Sequence, residues 1–237
     1  KAEIVVPDNE EPIVSIFTDP EMQGSRVQLF IKRRALPEVM NNTVQAEMLD
    51  VINSYMTVME NARLEELRMK PAATQDGALA RGFEALYTEL EKMRRYGFTQ
   101  GEFERAQETL MRDAERSYAN RNDRTNEEYV EEYLANYRKN SPVPDAKTEW
   151  QLDSMLIRNI TVDAVNAVAQ QFITPTNQVI FVTAPEKEGI TNPTAEELLA
   201  IRDKVISSEV EAYEDNVVKE PLIAEGTVLK GSPVKKT

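Results

Sequence analysis

The sequence predicts an α+β domain in which a mixed or antiparallel sheet carries helices packed on one face. Three observations predict it. Short period-two runs stand near the start, and a β-branched apolar run stands far downstream. Between them lie long stretches whose apolar residues recur at three- and four-residue steps. No series of strands alternates with helices through short loops, so a doubly wound parallel sheet is not expected.

The elements follow in order. Ile13, Ser15 and Phe17, then Val27, Leu29 and Ile31, alternate across two strands, about Ile13 to Thr18 and Arg26 to Arg33. The intervening Asp19-Pro20-Glu21-Met22-Gln23-Gly24 has the proline and glycine of a turn. A long helix is predicted from about Val39 to Lys70, with Val44, Met48, Val51, Ile52, Tyr55 and Met59 on one stripe and Pro71 as its stop. Met40, Met48, Met56 and Met59 in that segment read as core packing rather than as an adaptable binding face. A second helix, about Ala78 to Tyr96, ends at Gly97, since glycine tolerates the left-handed turn that closes a helix.

The sharpest local signal follows. Thr99 and Glu102 form a capping box, and Phe98 and Phe103 flank it as a hydrophobic staple. A helix should run from Gln100 to about Ala119. Asn120 to Asn126 is too polar for a core and reads as a turn. The next helix, Asn126 to Arg138, carries a stripe of Tyr129, Val130, Tyr133, Leu134 and Tyr137, expected as half-buried packing with hydroxyls at the rim. Two shorter helices are expected near Ala146 to Leu156 and Val162 to Phe172, the second capped by Thr161. Val179 to Ala184 reads as a buried strand, and Thr194 with Glu197 caps a last helix reaching about Ser208. One domain is predicted over residues 1–215, followed by a linker or tail over 216–237.

Composition narrows the chemistry. The 237 residues carry a net charge of −13, with 41% hydrophobic and 29% charged residues, an ordinary globular balance. Such an acidic surface argues against nucleic acid, which needs clustered Lys and Arg. No apolar run reaches the roughly 18 residues of a membrane span. There is no histidine and no cysteine. Zinc hydrolases draw their ligands from histidine, cysteine and carboxylates, and a Ser–His triad needs histidine. The acidic pairs Glu65-Glu66, Glu127-Glu128, Glu131-Glu132 and Glu196-Glu197 sit at neighbouring helical positions that point apart, and read as solvated faces. No catalytic, cofactor-binding or metal-ligating residue is therefore assigned in this chain.

Three stretches carry a resemblance. They are Asn61-Ala62-Arg63-Leu64-Glu65-Glu66-Leu67; Arg94-Arg95-Tyr96-Gly97-Phe98-Thr99-Gln100-Gly101-Glu102-Phe103-Glu104-Arg105-Ala106; and Ile160-Thr161-Val162-Asp163-Ala164-Val165 running on to Val179-Ile180-Phe181-Val182-Thr183-Ala184-Pro185. In order and spacing they resemble the second, non-catalytic (inactive) domain of the pitrilysin/insulinase family of zinc metallopeptidases. The likeness runs from about Glu3 to Asp215. It implies a fold shared with a catalytic domain that holds zinc through an inverted H-x-x-E-H motif, and a companion that supports that domain and walls a chamber for unfolded peptides. The zinc would lie in the parent's catalytic domain, on the same polypeptide or on a partner subunit. Peptide substrates, cationic ones among them, are the expected ligands. A catalytically dead structural or peptide-binding subunit of the same fold, with no active partner on the chain, stays open as the alternative. Any signal peptide would precede Lys1, so periplasm and cytoplasm are both compatible. One departure stands out: the family has several tens of residues with further strands after the position of Leu67, whereas here only Arg68 to Gly77 intervene. Missing residues or a deletion near 71–77 would account for it.

Overall fold

The computed structural model describes residues 6–69, 79–186 and 191–216. The sequence departure at 71–77 and residues 217–237 of the expected tail lie outside the described residues.

Three strands and seven α-helices make up the described chain. Strands β1 (Ile13–Asp19) and β2 (Arg26–Ile31) open it. Helices α1 (Val44–Met69), α2 (Leu79–Tyr96), α3 (Gln100–Ala119), α4 (Asn126–Lys139), α5 (Ala146–Asn159) and α6 (Val162–Phe172) follow. Strand β3 (Gln178–Pro185) and helix α7 (Ala195–Ser207) come last. The sheet order is β1-β3-β2, so the last strand in sequence is the central one. β1 runs parallel to β3 and β2 antiparallel to it, which makes the sheet mixed. The architecture is α+β, with α2 and α7 packed on one face of the sheet.

Alternation along β3 decides which face is which. Ile180, Val182 and Ala184 are fully buried, while Val179, Phe181 and Thr183 between them are not. The buried set meets Phe83 and Tyr87 of α2 and Leu198 and Val205 of α7. Val14, Ile16, Val27 and Leu29 of the outer strands complete that layer. Tyr87 is held by its hydroxyl, which donates to Gln178 Oε1 at 3.0 Å, and Arg202 Nε donates to the same oxygen at 3.0 Å. A second apolar cluster joins α1, α3, α5 and α6 with Met93 of α2. At its centre Tyr55 stacks on Phe103 with ring centroids 4.6 Å apart and donates to Ile157 O at 2.7 Å.

Helix α1 starts later than the periodicity predicts. Pro37 is followed by a single 3-10 turn, Glu38–Met40, and the α-helix begins only at Val44. Thr43 Oγ1 accepts from Ala46 N at 3.2 Å, so it satisfies one of the otherwise unbonded first-turn amides. α5 runs one turn beyond its expected end, to Asn159, because Ile157 and Ile160 extend its buried side. The bounds of α3 and α6 match their predicted caps.

Candidate functional site

Two concave or open surfaces and one buried polar knot stand out. The first surface is the sheet face away from α2 and α7. Its cross-strand rows follow from the register: Ile13 beside Val179 beside Phe30, then Ser15 beside Phe181 beside Gln28, then Phe17 beside Thr183 beside Arg26. Ile13, Phe17 and Phe30 are each about half exposed, at 49%, 52% and 49%. Three large apolar side chains half exposed on one sheet face make an apolar patch of the kind that marks an interaction surface. Among the described residues, the outer edges of β1 and β2 have no strand partner.

The second surface is an open cleft of about 1120 Å³ that begins where β2 ends and runs between the start of α1 and the first turns of α5. Glu47 and Asp50 come from α1, and Glu149 and Asp153 from α5. Burial pushes the Glu47 carboxyl above its ordinary range, and Asp153, Asp50 and Glu149 push it further by repulsion. Glu149 is raised by desolvation and then by Asp153. Asp153 is raised by desolvation. Glu47 and Glu149 are thus disfavoured as charged groups both by burial and by the nearby Asp153 carboxylate. A cation placed among them relieves both costs. Basic side chains share the lining: Arg33 and Arg34 follow β2, Arg124 precedes α4 and Arg138 and Lys139 end it, and Arg33 lies 3.7 Å over the Phe172 ring.

The knot lies where α1 crosses α3. Arg63 and Glu102 are 2% and 4% exposed. Arg63 Nε donates to Glu102 Oε1 at 2.6 Å and Nη2 to Oε2 at 2.8 Å, a two-point pair. Nη2 also donates to Gly97 O at 3.1 Å. Glu102 Oε2 accepts from Thr99 N at 2.8 Å and from the Thr99 hydroxyl at 2.9 Å. The residue that completes the predicted capping box therefore also anchors α1 to α3. Both members sit in motifs singled out above, but their pairing across 39 positions is not visible in sequence.

Other expectations are modified. Met56 and Met59 are in the core at 6% and 1% exposure, whereas Met40 and Met48 are exposed. The tyrosine stripe of α4 is more open than expected: Tyr133 is 60% and Tyr137 81% exposed, and α4 contributes no buried residue. Several members of the acidic pairs have definite partners instead of solvent alone. Glu65 pairs with Arg68, Glu132 with Arg124, and Glu66 accepts from Tyr213 at 2.8 Å. Glu128 and Glu197 close capping boxes on α4 and α7. The cleft carboxylates were not among those pairs. Their sequence signal is spacing: Glu47 and Asp50 stand three apart, Glu149 and Asp153 four apart, each pair on one side of its helix. Among the described residues, no group of three or more His, Cys, Asp or Glu is placed to hold a metal ion, and no helix is long and apolar enough to cross a membrane.

Comparison with solved structures places this geometry. The chain superposes on the first half of the periplasmic protease PqqL from Escherichia coli with a TM-score of 0.73 and 17% identity, over 90% of this chain and 51% of that one. A predicted insulinase family protease from Yersinia pestis gives a TM-score of 0.62 and 10% identity, over 87% of this chain and 50% of that one. The ferredoxin protease FusC, in complex with Arabidopsis ferredoxin, gives 0.59 and 12%, over 92% of this chain and 28% of that one. No family model and no curated protein matches the sequence. The chain thus has the fold of an insulinase-family protease domain, and it spans about half or less of the length of the proteases it matches.

Proposed function

We propose that this chain is the non-catalytic companion domain of a zinc metalloendopeptidase, supporting a catalytic domain of the same fold and walling the space in which an unfolded peptide is held. One observation carries the reading: a peptidase-domain fold built from a chain with no histidine and no cysteine. The fold supplies the scaffold. The composition removes the nitrogen and sulfur ligands on which zinc peptidase sites are built. Zinc and the hydrolytic water belong, on this reading, to the paired domain. This chain's own part is to bind and orient. The open sheet face takes apolar side chains, and the carboxylates of the cleft take basic ones.

The reading makes the peptide preference measurable. An unfolded peptide containing lysine and aromatic residues binds the chain, and binding weakens from low to physiological salt as the exposed carboxylates are screened. Replacing Glu149→Gln and Asp153→Asn together weakens it by roughly two- to thirtyfold, from about 0.2–1 kcal/mol for each screened charge pair. Fluorescence anisotropy at two ionic strengths reads both effects. Equal binding of a neutral peptide, unaffected by salt or by the double substitution, would remove the cleft from the peptide path.

A further inference from the structure

Helix α7 ends at Ser207, and residues 208–216 continue without regular structure across the ends of α2, α1 and α3. Polar side chains of those helices hold this strap. Arg95 donates to the carbonyl oxygens of Ser208 and Ile206, both at 2.8 Å. Tyr96 Oη donates to Val210 O at 2.8 Å. Tyr213 lays its ring 4.2 Å from the Arg63 guanidinium and donates its hydroxyl to Glu66. Asp215 takes a two-point contact from Arg105, at 3.0 and 3.1 Å, and lies 3.4 Å from the Thr99 hydroxyl at the start of α3.

Gly101 shows how closely that carboxylate is fitted. A Cβ on Gly101 would stand 2.2 Å from Asp215 Oδ2, so the carboxylate occupies the space that a side chain at the second position of α3 would need. Burial along the strap is slight. Val210 is buried, Tyr213 and Asp215 are half-buried, and the other residues from 208 to 216 are exposed.

We propose that Arg63, Arg105 and the first turn of α3 form a seat for an extended peptide segment bearing a tyrosine and, two residues on, a carboxylate. Tyr213 and Asp215 fill it in cis as a releasable latch. Segments held by few buried apolar contacts open below the global unfolding free energy. While closed, the latch fixes the course of residues 208–216 across the ends of α2, α1 and α3. The seat does not depend on the peptide-holding role of the sheet and cleft.

Limited proteolysis of the full 237-residue chain by a glutamate-specific protease, with Gly101→Ala and Asp215→Asn, tests it. Glu209, Glu211 and Glu214 are the cleavage sites in the strap. By helix propensity alone Gly101→Ala protects the chain, since alanine is the better helix former. With Asp215 seated, both substitutions accelerate cleavage at those three sites by roughly tenfold or more, while sites within α1 and α3 stay protected. A synthetic peptide of residues 208–216 then binds the Tyr213→Ala/Asp215→Asn chain and not the unsubstituted one. Unchanged or slowed cleavage at the three strap sites would overturn the seat. Cleavage accelerated throughout α1 and α3 in the Asp215→Asn chain would make the strap part of the fold and overturn the latch.

Discussion

Arg63→Ala lowers the unfolding free energy by about 3–5 kcal/mol, the cost of leaving one member of a buried ion pair without its partner. The substitution removes more than Coulomb attraction. Glu102 keeps its two bonds from Thr99 but loses both guanidinium donors in a site that is 4% exposed. Gly97 O loses its donor as well. The Tyr213 and Phe98 rings, at 4.2 and 5.1 Å from the guanidinium carbon, lose a stacked cation. Removing the charge on the other side as well should recover part of the loss. In Arg63→Ala/Glu102→Gln the capping amide remains and no carboxylate is stranded. Urea denaturation of the two single variants and the double gives the coupling energy. Strong non-additivity is expected, whereas a loss of less than about 1 kcal/mol for Arg63→Ala would place the pair with ordinary surface salt bridges.

The second large effect is Gly97→Ala. Gly97 closes α2 at φ 71°, where its N–H donates to Met93 O at 2.9 Å. A non-glycine residue there costs about 1–2 kcal/mol through its own backbone sterics. Space is the further obstacle, because a Cβ would lie 2.4 Å from Asn166 Cγ. Asn166 is not free to leave. Its Oδ1 accepts from Phe98 N at 2.7 Å and its Nδ2 donates to Phe98 O at 3.1 Å, so moving it breaks both bonds. With about 0.5–1.5 kcal/mol for each bond, the total is roughly 2–5 kcal/mol. Gly82 supplies the opposite sign. It lies inside α2 with nothing within 4 Å of its Cβ position, so Gly82→Ala stabilises by about 0.5–1 kcal/mol. Thermal melts of the two variants should move in opposite directions.

What the sequence discloses here follows the range of the forces involved. The Thr99–Glu102 box, the Gly97 stop and the Thr161 cap act within a few residues, and the ends of α3 and α6 fall where those residues put them. The start of α1 is less legible. Val39 and Met40 fit a helical stripe, yet Asn41, Asn42 and Thr43 interrupt it, and the α-helix waits for Val44. Sheet order is less legible still. β3 stands far from β1 and β2 in sequence, and its apolar run shows burial without naming neighbours. The cleft carboxylates come from α1 and α5, elements about 100 positions apart, and within each helix a spaced acidic pair looks like any solvated face. Asp215 is hardest to see, because a carboxylate in a polar stretch has no periodicity to mark it. Its seat is recorded at Gly101, the second residue of α3, and only the fold brings the two together.

The division of labour proposed for this chain rests on its having no metal of its own. Zinc titrated into the purified 237-residue chain by calorimetry, with peptide hydrolysis followed on the same sample, measures that directly. The expected result is no tight equimolar zinc and no hydrolysis above the metal-free rate. One zinc bound tightly per chain, with hydrolysis that a chelator abolishes, would contradict it and place a catalytic site within these residues.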